Sequence, residues 1–182
     1  MTHRTEAELE AVLDHIRQAP SEQGTVELIV GRPAEDEREV LAEGELTVAE
    51  GLLGDNWIAR PSKMTPDGSA YVETQLTLMN ARAADAVAIE RDRWPLAGDQ
   101  FYVDLDLSEE NVPPGTRLVI GDAVIEVTAE PHLGCAKFRE RFGAAALKFV
   151  NSPVGRELHL RGINAKVIEP GVIRQGDVLR KI

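Results

Sequence analysis

The sequence predicts a mostly-β domain with a few helices, an α+β chain whose strands build a barrel or sandwich. Two observations predict it. Short β-patterned runs recur along the chain: Thr25 to Val30, Leu118 to Ile120, Ala123 to Val127, Ile163 to Val167, Val172-Ile173 and Val178-Leu179. Turn signals punctuate them, because Gly-Asp recurs at Gly54-Asp55, Gly98-Asp99, Gly121-Asp122 and Gly176-Asp177, and Pro170-Gly171 interrupts the last runs. Glycine followed by a short polar residue suits tight hairpins, and frequent short strands with such turns favour closure over a doubly wound sheet.

The hairpin pattern is clearest around Gly121-Asp122, where Ala123, Ile125 and Val127 share one face of the second strand. The helices are few. Thr5-Glu6-Ala7-Glu8 has capping-box spacing, and Leu9, Val12, Leu13 and Ile16 follow at helical intervals as far as Pro20, predicting one short amphipathic helix. An acidic loop is expected from Pro33 to Glu39. Asn80 suits the N-cap of a second helix carrying Ala83, Ala84 and Val87, which ends before Trp94-Pro95. Phe138, Phe142, Ala145 and Phe149 recur at steps of four, three and four, so a third helix is expected from about Ala136 to Val150, its aromatic stripe facing the core. Ser152-Pro153 ends it.

At 182 residues the chain is the size of one domain and buries a core without staples. Neither a membrane-spanning run nor a hydrophobic signal core is seen, and the one cysteine forbids an internal disulfide, so a cytoplasmic location is expected. The net charge of −11 speaks against nucleic acid or an anionic membrane as partner. The 4% aromatic content offers no stacking platform for bases. Between Lys137 and Lys166, however, Lys137, Arg139, Arg141, Lys148, Arg156, Arg161 and Lys166 face only Glu140 and Glu157, a local balance of +5. This stretch reads either as a solvated basic face or as a site for a small anion.

Cys135 is the first candidate for chemistry. It follows Gly134 and stands at the head of the third helix, where free amides and the helix dipole favour a thiolate, with Lys137 and Arg139 near in sequence. Such a thiolate serves as a metal ligand or sulfur carrier, whereas a buried thiol is packing. His132, three residues earlier, is a candidate base, substrate-orienting group or second ligand. Structural zinc is disfavoured, since no second close Cys or His pair exists. Asp55 reads as a turn residue or as an acceptor that supports a ligand site. Signatures of phosphate loops, dinucleotide sites, nucleophile elbows and His-Glu-x-x-His metalloproteases are missing.

Several segments, in order, resemble one family. They are Gly51-Leu52-Leu53-Gly54-Asp55, Gln75-Leu76-Thr77-Leu78-Met79, Gly115-Thr116-Arg117-Leu118 with Gly121-Asp122-Ala123-Val124, and Pro131-His132-Leu133-Gly134-Cys135-Ala136-Lys137-Phe138. The ending, Leu160-Arg161-Gly162-Ile163-Asn164-Ala165-Lys166-Val167 with Pro170-Gly171 and Gly176-Asp177, completes the set. Together they resemble the MOSC family, named for the C-terminal domain of molybdenum cofactor sulfurase. The resemblance implies a β-barrel domain over residues 25–182 behind a helical extension over residues 1–24. It implies a molybdenum-pterin cofactor, with Cys135 carrying sulfur or ligating molybdenum; His132 remains a catalytic candidate on its own spacing to Cys135. Lys137, Arg139 and Arg161 become the implied clamp for the cofactor phosphate, with Asp55 beside the site.

The chain departs from many relatives in carrying Pro66-Asp67-Gly68-Ser69-Ala70 where they have a His-Gly-Gly loop, which leaves the substrate open. Neither a pyridoxal-phosphate desulfurase domain nor a ferredoxin-like extension is recognised, so bound pyridoxal phosphate is not expected and any sulfur or electron donor is another protein. Three readings follow. The first is an oxidoreductase acting on N-hydroxylated compounds with Cys135 on the metal, the second a sulfur or cofactor carrier using a Cys135 persulfide, and the third an interaction domain with a packing cysteine.

Overall fold

The computed structural model describes residues 3–182. Eleven strands run in chain order as β1 (Gln23–Gly31), β2 (Glu39–Leu41), β3 (Glu43–Thr47), β4 (Gly51–Leu52), β5 (Leu76–Asn80), β6 (Phe101–Asp104), β7 (Arg117–Ile120), β8 (Ala123–Val127), β9 (Ile163–Glu169), β10 (Gly171–Arg174) and β11 (Val178–Lys181). Seven of them close a barrel in the order β11-β7-β8-β9-β5-β6-β1, sealed where β1 pairs again with β11. Every barrel pairing is antiparallel except β5 with β6, which helix α3 (Ala81–Ala88) joins as a βαβ unit. β2 extends the sheet beside β1, and β10, β3 and β4 form a separate three-stranded sheet.

Two apolar clusters explain which strands read clearly in the sequence. Ala123, Ile125 and Val127 all point into the barrel, as their alternation predicts. β5 and β6 are instead buried on both faces. Leu76, Leu78, Phe101 and Val103 fill the barrel, while Met79 and Tyr102 face a second cluster beneath the helices. In β1 a bulge between Val26 and Leu28 shifts the alternation, so Val26 and Ile29 face the barrel while Leu28 and Val30 face the helices.

The second cluster is roofed by α1 (Glu6–Glu10), α2 (Leu13–Arg17), α3 and α4 (Ala136–Asn151), with α5 (Pro153–Glu157) following α4. The capping box at Thr5 forms, but the expected single opening helix is two, interrupted at Ala11-Val12. Asn80 caps α3 through the amides of Arg82 and Ala83, and Phe138, Phe142 and Phe149 are buried as the stripe predicts. α4 is likewise two helices, broken at Gly143 with φ 90° and ψ 169°. A periodicity count cannot see that break, because the apolar residues keep step across it.

Of the four Gly-Asp pairs, only Gly121-Asp122 closes a two-residue hairpin, between β7 and β8. Gly176-Asp177 carries the chain from one sheet to the other, and Gly54-Asp55 and Gly98-Asp99 deliver their aspartates into the interior. No helix among the described residues is long and apolar enough to cross a membrane.

Candidate functional site

A 3₁₀ segment, Arg91–Ala97, ends at Gly98 with φ 94°, and this turn drives the Asp99 side chain out of solvent contact altogether. One carboxylate oxygen lies 2.8 Å from His132 Nε2, and the other accepts from Arg161 Nη1. Arg161 Nη2 donates to the Ala97 carbonyl at 2.8 Å, and the guanidinium lies 5.2 Å from the centre of the Phe138 ring. Burial alone would raise the pKa of Asp99, but Arg161 and then His132 reverse that and hold it at about 2. The carboxylate is therefore an acceptor only, so His132 Nε2 must carry the proton and donate. Burial, then the positive charge of Arg161, lowers the pKa of His132 against the opposing pull of Asp99. The ring is neutral at neutral pH with its lone pair on Nδ1. Nδ1 has no protein partner and is not a buried atom, so it opens to solvent.

These two shifts have the same sign for stability. The folded state disfavours protons at both groups, so their stabilisation is complete above the unfolded pKa of histidine, about 6.5. Acidification is expected to weaken the fold first as pH falls below about 6.5, from His132, and again between about 4 and about 2, from Asp99. Urea midpoints measured across this range check it, and His132→Gln should remove the first step.

A second buried pair supports the same wall. The Asp55 carboxylate takes Arg32 Nε at 2.8 Å and Nη2 at 2.9 Å, and accepts the backbone amides of Trp57 at 2.9 Å and Arg32 at 3.2 Å. Four bonds use its acceptor capacity. Arg32 Nη1 reaches the Gly98 carbonyl at 3.0 Å, which ties this pair to the turn that carries Asp99. Asp55 thus shapes the site through Arg32 and the turn at Trp57.

Between the two pairs lies a cleft of about 430 Å³, bounded by Arg32, Trp57, Arg60, Tyr71, His132 and Arg161. Arg60 also borders an adjoining cleft of about 400 Å³ with Arg38, Asn56, Lys137, Glu35 and Asp36. Arg60 Nε donates to Asn56 Oδ1 at 2.7 Å, and no carboxylate pairs with it among the described residues. Arg60 is exposed; loss of part of its solvent shell and then the nearby Arg32 lower its pKa against the opposing pull of Asp55 and Glu35. Trp57 Nε1 and Arg161 Nε are buried donors without partners, both on residues bordering the first cleft. A third cavity, about 320 Å³, shares Glu130, Pro131 and His132 with the first cleft; Val127, Val150 and Ile163 give it an apolar wall.

Cys135 is the N-cap residue of α4 and is exposed, with no hydrogen bond from its side chain to the helix. In the chain it lies between His132, which borders the first cleft, and Lys137, which borders the second, and it lines neither cleft itself. An exposed thiol fills no core, which removes the reading of a packing cysteine. Two of the three residues expected to clamp a phosphate have carboxylate partners in the chain. Lys137 Nζ binds Glu35 at 2.8 Å and Asp36 at 3.1 Å, Arg161 serves Asp99, and Arg139 is exposed on the first half of α4. The local +5 is largely neutralised from elsewhere in the chain, since Arg141 also pairs with Asp36, Lys148 with Glu6, and Lys166 with Glu73.

The sequence reading singles out Cys135, His132, Lys137, Arg139, Arg161 and Asp55, and misses Asp99, Arg32, Arg60 and Trp57. Asp99 had one faint signal. It directly precedes Gln100-Phe101-Tyr102-Val103, a stretch buried throughout, where a surface turn would be out of place. Arg32 and Arg60 lie far from His132 and Arg161 in sequence and meet them only in the folded chain, on the first cleft.

The chain's sequence matches the MOSC domain over residues 66–180. Solved structures share its fold. The YuaD protein from Bacillus subtilis superposes with a TM-score of 0.67 at 14% identity, over 86% of this chain and 94% of that one. YiiM from Escherichia coli gives 0.56 at 20% identity over 87% and 69%, and YiiM from Geobacillus stearothermophilus gives 0.57 at 16% over 88% and 75%. No curated protein matches the sequence.

Proposed function

Because this chain belongs to the MOSC domain family, we propose that it binds a molybdenum-pterin cofactor through Cys135 and acts as an oxidoreductase that reduces N-hydroxylated compounds. The observation that carries the reading is the exposed Cys135 thiol, three residues after His132 of the first cleft and two before Lys137 of the second, with Arg60, a cation without a carboxylate partner among the described residues, shared by both clefts.

The donor set fits such a group. Among the described residues no cluster of three or more His, Cys, Asp or Glu side chains can hold a bare metal ion, so a metal at Cys135 depends on ligands it brings with it. A thiolate is a suitable soft ligand for one coordination position. Arg60 supplies a planar fork for a phosphate, with Arg38 beside it on the second cleft, and the clamp proposed here moves to this pair from Lys137 and Arg139. Arg161 acts through Asp99 and His132, and Asp55 acts through Arg32.

When bound, the cofactor supplies two-electron transfer at the metal. The chain's own residues do the rest. His132 Nδ1 offers a lone pair to a substrate N–H or O–H, and Asp99 fixes the ring in that tautomer. The third cavity offers an apolar wall to the body of the substrate on the side of His132 away from Arg60. Converting N–OH to N–H and water takes two electrons and two protons, and the electrons come from a separate donor protein.

The exposure of Cys135 also favours a second reading, a carrier whose Cys135 persulfide serves a partner. Incubation of cofactor-loaded protein with N-hydroxybenzamidine and reduced methyl viologen separates the two. Benzamidine formation that falls at least about a hundredfold in Cys135→Ser supports the oxidoreductase. Absence of benzamidine from the loaded wild type, with thiocyanate released by cyanide, overturns it in favour of the carrier.

A further inference from the structure

A straight helix of the 16 residues in α4 would hold its ends about 24 Å apart. Yet Gly134, just ahead of its first turn, is bonded twice to Asn151, its last residue. Gly134 N–H donates to Asn151 Oδ1 at 2.9 Å, and Asn151 Nδ2 donates to the Gly134 carbonyl at 3.0 Å. The break at Gly143 makes this possible, since its φ of 90° with ψ 169° belongs to a region that side chains other than glycine's rarely enter. The two halves of α4 fold back on each other, and its last residue meets the loop ahead of its first turn.

The contact is also close in space. A Cβ on Gly134 would lie 2.8 Å from Leu147 Cδ1 and 3.0 Å from Val150 Cγ2, so the backbone of the loop rests directly on the second half of α4. Asparagine suits the role because one planar group carries both a donor and an acceptor, matching the C=O and N–H of a single residue. The residue after Gly134 is Cys135, whose own side chain makes no cap bond. The root of the thiol is thereby fixed while the sulfur stays unengaged.

We infer that Asn151 is the positioning residue of Cys135: through the fold-back at Gly143 it clamps Gly134 and sets where the thiol is presented. The inference rests on the reading of Cys135 as the functional thiol, and its test reads the clamp separately from that reading.

Amide hydrogen exchange is measured on the full chain without cofactor, with β8 amides as internal reference. In Asn151→Leu, exchange at Gly134 rises about tenfold or more while β8 is unchanged. Asn151→Asp keeps an acceptor for the Gly134 amide and leaves its exchange within about threefold of wild type. Molybdenum retained per chain, from a cofactor-producing host, falls about tenfold in Asn151→Leu. Unchanged exchange at Gly134, or faster exchange without loss of molybdenum, overturns the inference. Should neither variant fold, the wild type decides: Gly134 exchanges as slowly as the β8 amides, and exchange at an open-loop rate refutes the clamp. Cys135→Ser is the separate control. If it retains molybdenum, the functional reading fails while the exchange result still stands for or against the clamp.

Discussion

Asp99→Ala is expected to destabilise the fold by about 3–5 kcal/mol, measured by urea denaturation at neutral pH. Asp99 has no exposed side-chain surface, and Arg161 is only 6% exposed. Removing the carboxylate leaves a buried guanidinium whose Nε already lacks a partner and whose Nη1 loses one. Uncompensated burial of a charge costs far more than the pair itself contributes. Asp99→Asn keeps an acceptor for Arg161 and should cost less, while removing the charge that holds His132 in its tautomer. A loss under about 1 kcal/mol in Asp99→Ala would mean that Arg161 finds water or another acceptor, and that the Asp99 bridge does not organise the wall of the cleft.

Gly162→Ala is expected to cost about 3 kcal/mol or more. Gly162 has φ 112°, and a Cβ there would sit 2.3 Å from the Leu78 carbonyl oxygen and 3.1 Å from His132 Cδ2. The first obstacle is backbone in β5, whose Leu78 pairs with Ile163 of β9, so relief requires opening that pairing. The second is the imidazole at the mouth of the site. Gly176→Ala is the control: its φ is 87° but its Cβ would meet nothing within 4 Å, so only backbone strain of about 1 kcal/mol is expected. Equal losses in the two variants would show that strain alone, without the collision, sets the cost at Gly162.

The contrast between these two glycines illustrates what was legible in the sequence. Alternation in Ala123, Ile125 and Val127 and the aromatic stripe of α4 were readable because each element has one buried face. β5 and β6 carry no alternation, since both faces are buried, and β1 loses its own at the bulge. Closure of the barrel by β1 and β11 joins residues more than 150 positions apart, which no local pattern encodes. The site follows the same division. Cys135 and His132 lie in one local segment and were found together. Asp99 was legible only faintly, as half of a turn dipeptide ahead of the β6 run, because its burial depends on Arg161 and His132, which arrive on other elements. The cation cluster after Cys135 was visible as composition, but composition does not tell which carboxylates reach back to neutralise it. Arg60, paired with none, gave no signal in sequence.

The most direct measurement is the molybdenum and phosphate content of the full chain purified from a cofactor-producing host, wild type against Cys135→Ser. Near one molybdenum and one phosphate per chain is expected in the wild type, with molybdenum lost in the variant although it folds normally. Wild-type protein without either element, or Cys135→Ser with its molybdenum intact, would contradict a cofactor site built on Cys135.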